Sequence, residues 1–149
     1  MKVDVSSQIV IHRPRAEVAA YAMDPDNAPQ WYVNIKSVEW RTEPPLRTGS
    51  QIAFVADFLG RRLAYTYEIV ALAPGERLVM RTSEGPFPME TSYHWEATGT
   101  TDTLMTLRNR GDAIGFAGFV APFMAMAMRR ATRKDLLRLK QILEQRLDW

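Results

Sequence analysis

Polar-tipped aromatic residues recur at every second position in two short segments, Tyr65 with Tyr67 and Tyr93 with Trp95. A spacing of two puts each pair on one face of a β-strand. There the ring bodies grip a planar hydrophobic compound while hydroxyl and indole N–H groups direct a few hydrogen bonds. The chemistry this predicts is recognition of a ring system, with tyrosine hydroxyls donating to a carbonyl or phenol; the alternative is that the rings fill a core. Proton-transfer chemistry has three other candidates, His94, Arg81 and Asp57. Alternation with Glu90, Ser92 and Glu96 places His94 on the solvent face, and the same parity turns Arg81 and Asp57 outward. A β-bulge would reverse that face and make His94 the natural general base. His12, beside Arg13 at a strand end, is read as structural or solvated.

Other chemistries lack their residues. The chain has no cysteine, which excludes disulfides, a thiolate nucleophile and cysteine-based zinc or iron–sulfur centres. Two histidines, His12 and His94, form no HExxH or other dense ligand pattern, so no metal and no cofactor are predicted. There is no GxSxG elbow and no Walker or dinucleotide glycine pattern; Gly111, Gly115 and Gly118 precede a helix but follow no βαβ strand. The net charge of +2 is too balanced for nucleic-acid binding. Residues 129–149 nevertheless hold seven basic side chains against three acidic ones. Within that run Arg130, Lys134 and Arg138 form a stripe read as a solvated helix face.

The elements that must carry these residues follow from periodicity. With 149 residues, 46% hydrophobic and 24% charged, the chain has the profile of one globular domain spanning 1–149. Val3, Val5, Ile9 and Ile11 alternate with polar residues and predict a first strand over about 3–12. Pro14 and Glu17 start a short helix, and Pro25 and Pro29 restrict the next segment to a second brief turn. From 35 to 110 five turns, at 43–49, 59–61, 74–76, 85–88 and 98–101, separate successive strands of an antiparallel meander. Its inner face takes Val38 and Trp40; Ile52, Phe54, Ala56 and Phe58; Leu63, Tyr65, Tyr67 and Ile69; Leu78 and Met80; Met89, Thr91, Tyr93 and Trp95. Its outer face takes Glu39, Arg41, Asp57, Thr66, Glu68, Arg81, Glu90, Ser92, His94 and Glu96. A terminal helix covers the inner face with Ala121, Ala125, Met128, Thr132, Leu136, Leu139, Leu143 and Leu147. The expected class is α+β: a curved antiparallel sheet of about seven strands wrapped around a long C-terminal helix, with two short helices after the first strand.

Residues 113–128 run without charge for 16 positions, short of the ~20 a membrane span needs. Phe116, Phe119, Phe123, Met124, Met126 and Met128 are expected to form a deformable apolar gate over a cavity mouth. Two other readings are ordinary core, and transient membrane contact with Arg129, Arg130 and Arg133 beside anionic headgroups. The opening MKVDVSSQIV lacks the apolar stretch of a secretory signal, so the expected location is cytoplasmic.

The stretch IHRPRAEVAAYAMDPDNAPQWY at 11–32, the meander and the terminal RxxRKDLLRLKQILE helix together resemble the START/polyketide cyclase-like helix-grip superfamily. The resemblance rests on the Ile11-to-Pro14 step into the first helix, on Trp31 closing the second, and on Leu139, Lys140, Leu143 and Glu144 near the end. It implies a hydrophobic cavity between sheet and long helix, used by different members for lipids, sterols, quinones, plant hormones or polyketides, and by some for cyclisation. Fold alone does not choose among these. Cyclase members are thought to use cavity arginines and tyrosines, but no motif maps those positions onto this chain, so no catalytic residue is carried over. The expected ligand-binding set is Trp31, Trp40, Phe54, Phe58, Tyr65, Tyr67, Met80, Met89, Tyr93, Trp95, Met105, Phe116, Phe119, Phe123 and Met124. The expected function is a carrier or sensor of a hydrophobic small molecule, acting as monomer or homodimer. The alternatives are a cyclase/aromatase or dehydratase using the same cavity, and a protein-interaction module with a collapsed core.

Overall fold

A computed structural model describes residues 2–112 and 121–146. Strand β1 (Lys2–Ile11) leads into helix α1 (Arg15–Met23), a 3-10 turn (Pro25–Asn27) and the one-turn helix α2 (Ala28–Trp31). Six strands follow: β2 (Ile35–Trp40), β3 (Gln51–Phe58), β4 (Arg61–Ala73), β5 (Arg77–Glu84), β6 (Met89–Ala97) and β7 (Thr103–Asp112). Helix α3 (Ala121–Gln145) completes the set. The α+β expectation of seven strands, two early helices and a long terminal helix describes this arrangement.

All strand pairs are antiparallel, in the order β1-β7-β6-β5-β4-β3-β2. The meander places β2 to β7 side by side, and β1 returns to pair with β7 along its whole length. Leu59 and Gly60 both have positive φ, 50° and 75°, the backbone that a two-residue hairpin between β3 and β4 requires. Gly111 serves a different need. A Cβ there would lie 2.2 Å from the Pro88 carbonyl oxygen, so this glycine permits β7 to pass close to the start of β6.

Curvature comes from irregular pairing. Strand β4 shifts register against β5 between Thr66 and Tyr67 and again between Ile69 and Ala71, and β2 shifts against β3 between Ile35 and Ser37. Such bulges bend a strand and increase its twist. Thr66, expected on the outer face, is buried where the first of these shifts interrupts the alternation.

The concave face holds α3 through Met124, Thr132, Asp135, Leu136, Leu139 and Leu143, all buried and on one helical stripe. The expected inward residues Ala121 (its side chain) and Leu147 lie outside the described residues. At the C-terminal end of α3, α1 and α2 close the sheet. Val18, Tyr21 and Trp31 pack there with Ile11, Trp95, Met105, Leu139 and Leu143 in one buried cluster.

The last turn of α3 leaves carbonyls without helical partners, and Arg13 supplies them. Its Nε donates to Leu143 O at 3.0 Å, and its Nη2 donates to Glu144 O at 3.0 Å and Arg146 O at 2.7 Å. Beside it, Glu144 accepts from the His12 backbone N–H at 2.8 Å and from Lys140 Nζ at 2.6 Å. His12 itself faces Asp102 at 3.0 Å, a structural position. Arg13→Ala should lower stability by about 2 kcal/mol, since charged donors are removed from half-buried carbonyls. A urea midpoint equal to that of the parent protein would show that these contacts do not hold the helix end.

Candidate functional site

Three buried apolar clusters form under α3, and they do not fully meet. One surrounds α1 and α2; a second joins Val3, Leu63, Phe87, Met89 and Met124; a third joins Ala28, Ile52 and Phe54. Between them lies a cavity of about 160 Å³. Strict alternation builds its sheet wall: Phe54, Ala56 and Phe58 from β3, Leu63, Tyr65 and Tyr67 from β4, Met89, Thr91 and Tyr93 from β6. Met80 and Asn109 extend that wall from β5 and β7. Helical spacing builds the roof from Met124, Met128, Ala131, Thr132 and Asp135. Phe87, Tyr32, Asn34 and Ile35 complete the lining.

Three polar groupings project into this apolar space. The hydroxyls of Tyr32 and Tyr93 are 2.5 Å apart, and either can be the donor. Thr91 Oγ1 donates to Asn109 Oδ1 at 2.6 Å and lies 3.4 Å from the Tyr67 hydroxyl. Asp135 Oδ1 accepts the Val33 backbone N–H at 2.9 Å.

Burial decides the protonation of these groups. It raises Tyr32, Tyr65, Tyr67 and Tyr93 above the usual phenol range, so all four are neutral hydroxyls that both donate and accept. The adjoining Tyr93 hydroxyl reinforces the effect on Tyr32, whereas the neighbouring Thr91 hydroxyl opposes it at Tyr67. Burial also pushes the Asp135 carboxyl up to about 7, against the opposing pull of the Val33 N–H and of Arg138. A carboxyl so placed holds or releases a proton near neutral pH.

Of the residues expected to bind ligand, Phe54, Phe58, Tyr65, Tyr67, Met80, Met89, Tyr93 and Met124 line the cavity. Four others do not. Trp31, Trp95 and Met105 belong to the core under α1 and α2 and are almost wholly buried. Trp95 pairs directly with Met105 in the β6–β7 register; both are on the inner face, but at the end of the strands that the short helices fill. Trp40 lies on edge strand β2, where its indole Nε1 donates to Asp26 Oδ1 at 2.9 Å. Phe116 and Phe119 lie outside the described residues.

The expected gate divides between two surfaces. Met124 and Met128 face the cavity, whereas Phe123 and Met126, 41% and 57% exposed, border a shallow outer cleft with Phe58, Leu59, Arg130 and Lys134. His94 is exposed, and β6 pairs with both neighbours without a register shift at that position, so the bulge that would turn it inward does not occur. Arg81 is exposed and bound to Glu90 at 2.7 Å. Asp57 faces Arg62 at 3.5 Å.

Sequence reasoning missed Tyr32, Asn34, Asn109 and Asp135 as site residues. Two had a readable signal: Asn109 continues the alternation of Met105 and Leu107, and Asp135 stands three residues after Thr132 and four before Leu139 on the apolar stripe of α3. A polar residue on a core-facing stripe marks either a satisfied core contact or a site.

Among the described residues, no helix is long and apolar enough to cross a membrane. No functionally curated protein matches the sequence significantly. Solved structures match over nearly the full chain at low identity. A START superfamily protein from Mycobacterium smegmatis superimposes with a TM-score of 0.83 at 14% identity, covering 95% of this chain and 97% of its own. The Zhui aromatase/cyclase from Streptomyces sp. R1128 gives 0.82 at 16% identity, covering 99% and 97%. The major latex-like protein 151 from Panax ginseng gives 0.68 at 17% identity, covering 93% and 98%. These likenesses establish the START-like helix-grip fold expected from the resemblance. The family model for polyketide cyclase/dehydrase and lipid transport proteins matches residues 2–144, and the chain belongs to that family.

Proposed function

We propose that this chain binds a small hydrophobic ring compound between its sheet and α3, as a carrier or sensor. The observation that carries the reading is the cavity itself, an apolar space under the helix with a few neutral hydroxyls turned into it. Its size is close to that of the ~150 Å³ apolar cavity known to take up benzene. One or two rings fit as the side chains stand. A three-ring dye or a larger polyketide-like compound requires movement of Met80, Met89, Met124 and Met128, whose flexible side chains give way at low cost. Burying about 250 Å² of ligand surface would supply roughly 6 kcal/mol before the cost of association is subtracted. The hydroxyls contribute orientation more than affinity. Membership of a family that includes polyketide cyclases and lipid carriers supports this class of ligand.

A second reading, an enzyme of the cyclase or dehydratase type, is favoured by one specific feature. Such chemistry needs a titratable group facing the substrate, and Asp135 with the Tyr32–Tyr93 pair supplies in the cavity what His94, Arg81 and Asp57 do not.

Native mass spectrometry of freshly purified protein, followed by solvent extraction, should recover a hydrophobic compound. In parallel, the neutral dye N-phenyl-1-naphthylamine should brighten on binding at micromolar concentration. A protein that releases nothing and leaves the dye dark would sink the binding model. A recovered compound that changes chemically when returned to the protein would move the reading to the enzyme.

A further inference from the structure

We infer that the part of the ligand buried in the cavity carries no negative charge: it is a neutral phenol, ketone or alcohol, or an amine, and compact carboxylates are rejected by Asp135. This deepens the proposed binding function and rests on it.

The observation is a separation of charge across the cavity wall. Among the described residues that line it, none is lysine, arginine or histidine, and one, Asp135, is a carboxyl. The sequence of 113–120, AIGFAGFV, contains no charged residue. The nearby cations lie outside. Arg130 and Lys134 border the outer cleft next to Phe123 and Met126. Arg138, exposed and outside the lining, donates from Nε to the Gln30 carbonyl at 2.5 Å and acts on Asp135 only through its charge.

Inside, the free hydrogen-bonding capacity belongs to neutral hydroxyls, the Asn109 amide and the second oxygen of Asp135. That oxygen has no hydrogen-bond partner among the described residues, since Oδ1 alone takes the Val33 N–H. It is an acceptor waiting for an O–H or N–H. A phenol satisfies it by donating to Asp135, and its oxygen can accept from a tyrosine hydroxyl in return. Once Asp135 is ionised, a carboxylate in the same place offers no proton, finds no cation among the lining residues, and sets like charges side by side in a poorly solvated space.

The test uses two probes of one shape, 2-naphthol and 2-naphthoate, displacing N-phenyl-1-naphthylamine at pH 8, where Asp135 is ionised. The naphthol should displace the dye at a concentration about tenfold or more below that needed for the naphthoate, the scale expected for like charges a few ångströms apart. In Asp135→Asn, which keeps the acceptor for Val33 N–H and removes the charge, the ratio should shrink by about threefold or more, leaving the part due to moving an anion from water into a cavity without cations. Naphthoate displacing as well as naphthol from the parent protein would overturn the inference while leaving the cavity model standing. Failure of the dye itself to bind would instead overturn the cavity model. A ratio unchanged in a folded Asp135→Asn protein, checked by its thermal midpoint, would remove Asp135 as the discriminating group and the inference with it.

Discussion

Ala131→Trp should abolish uptake of N-phenyl-1-naphthylamine, weakening its affinity by about a hundredfold or more, with only a small change in the thermal midpoint. Ala131 borders both the cavity and the outer cleft and is only partly buried. An indole at that position points into space that the ligand needs, yet retains a route to solvent that limits overpacking. The helix tolerates the change, because tryptophan costs a fraction of a kcal/mol relative to alanine in helix propensity. Substituting Phe54 or Tyr67 is a poorer experiment. Their rings meet at 5.9 Å and pack in a buried cluster, so a charge or a truncation there removes folding energy along with the ligand. Unaltered dye affinity in a folded Ala131→Trp protein would place the binding site somewhere other than beneath α3.

The second large effect is a stability that falls as pH rises from 5 to 8. The Asp135 carboxyl moves from an ordinary value of 3.8 to about 7 in the folded protein. Between those values the unfolded chain has lost the proton that the folded chain keeps. The folded state therefore binds more protons, and its advantage declines with increasing pH until about 7, then levels off. At about 1.4 kcal/mol per pH unit, the interval from 5 to 8 costs roughly 2–3 kcal/mol, or roughly 5–10 °C in the thermal midpoint. Asp4, Glu90 and Glu144 have the opposite sign. Hydrogen bonds from Arg108 hold Asp4 below its usual range, those from Arg81 and Arg110 do the same for Glu90, and Lys140 with the His12 N–H does so for Glu144 against burial. Their stabilisation is complete above the unfolded carboxylate values near 4 and is lost only as pH falls through the lowered ones. Asp135→Asn should flatten the slope and exceed the parent protein in stability at pH 8 by a similar amount. Comparing the two slopes isolates this carboxyl from every other titrating group. A parent protein as stable at pH 8 as at pH 5 would mean that Asp135 is better solvated than its surroundings suggest.

The pH slope and the discrimination between naphthol and naphthoate share one origin. A carboxyl kept at the roof of an apolar cavity destabilises the fold at neutral pH, and the Val33 N–H returns only part of that energy. Residues that lower stability in this way are concentrated where ligands bind or chemistry occurs. The same group thus links the pH slope, the discrimination between naphthol and naphthoate, and the enzyme reading. Thr132, one turn away on the same roof, meets Ser7 of β1 at 3.0 Å and has its hydrogen bonding met within the fold. Asp135 does not.

Much of this molecule is legible in its amino-acid sequence. Period-two alternation in 51–58, 61–69 and 89–95 assigned the inner face, because one face of an antiparallel sheet is buried and a single-residue slip would expose every apolar side chain. Pro14, Pro25 and Pro29 punctuated the early helices, and the threes and fours of Leu136, Leu139 and Leu143 oriented α3. The outward placement of His94, Arg81 and Asp57 came from the same parity.

Alternation says which face a residue takes, but not how far along the strand the space above that face is filled. Trp95 and Tyr93 share a face and are two residues apart; α1 and α2 cover the first, and the cavity opens over the second. That difference depends on where the short helices land and where the β4 bulges bend the sheet, both products of tertiary packing. Tyr32 reaches the Tyr93 hydroxyl across 61 positions, and Asp135 meets Val33 across 102. No local pattern encodes such a meeting. The sequence by itself determined the element order, the buried face and its aromatic and methionine-rich composition. The tertiary structure decided which part of that face remains a cavity and placed one carboxyl in it, because voids and burial belong to the packed chain as a whole.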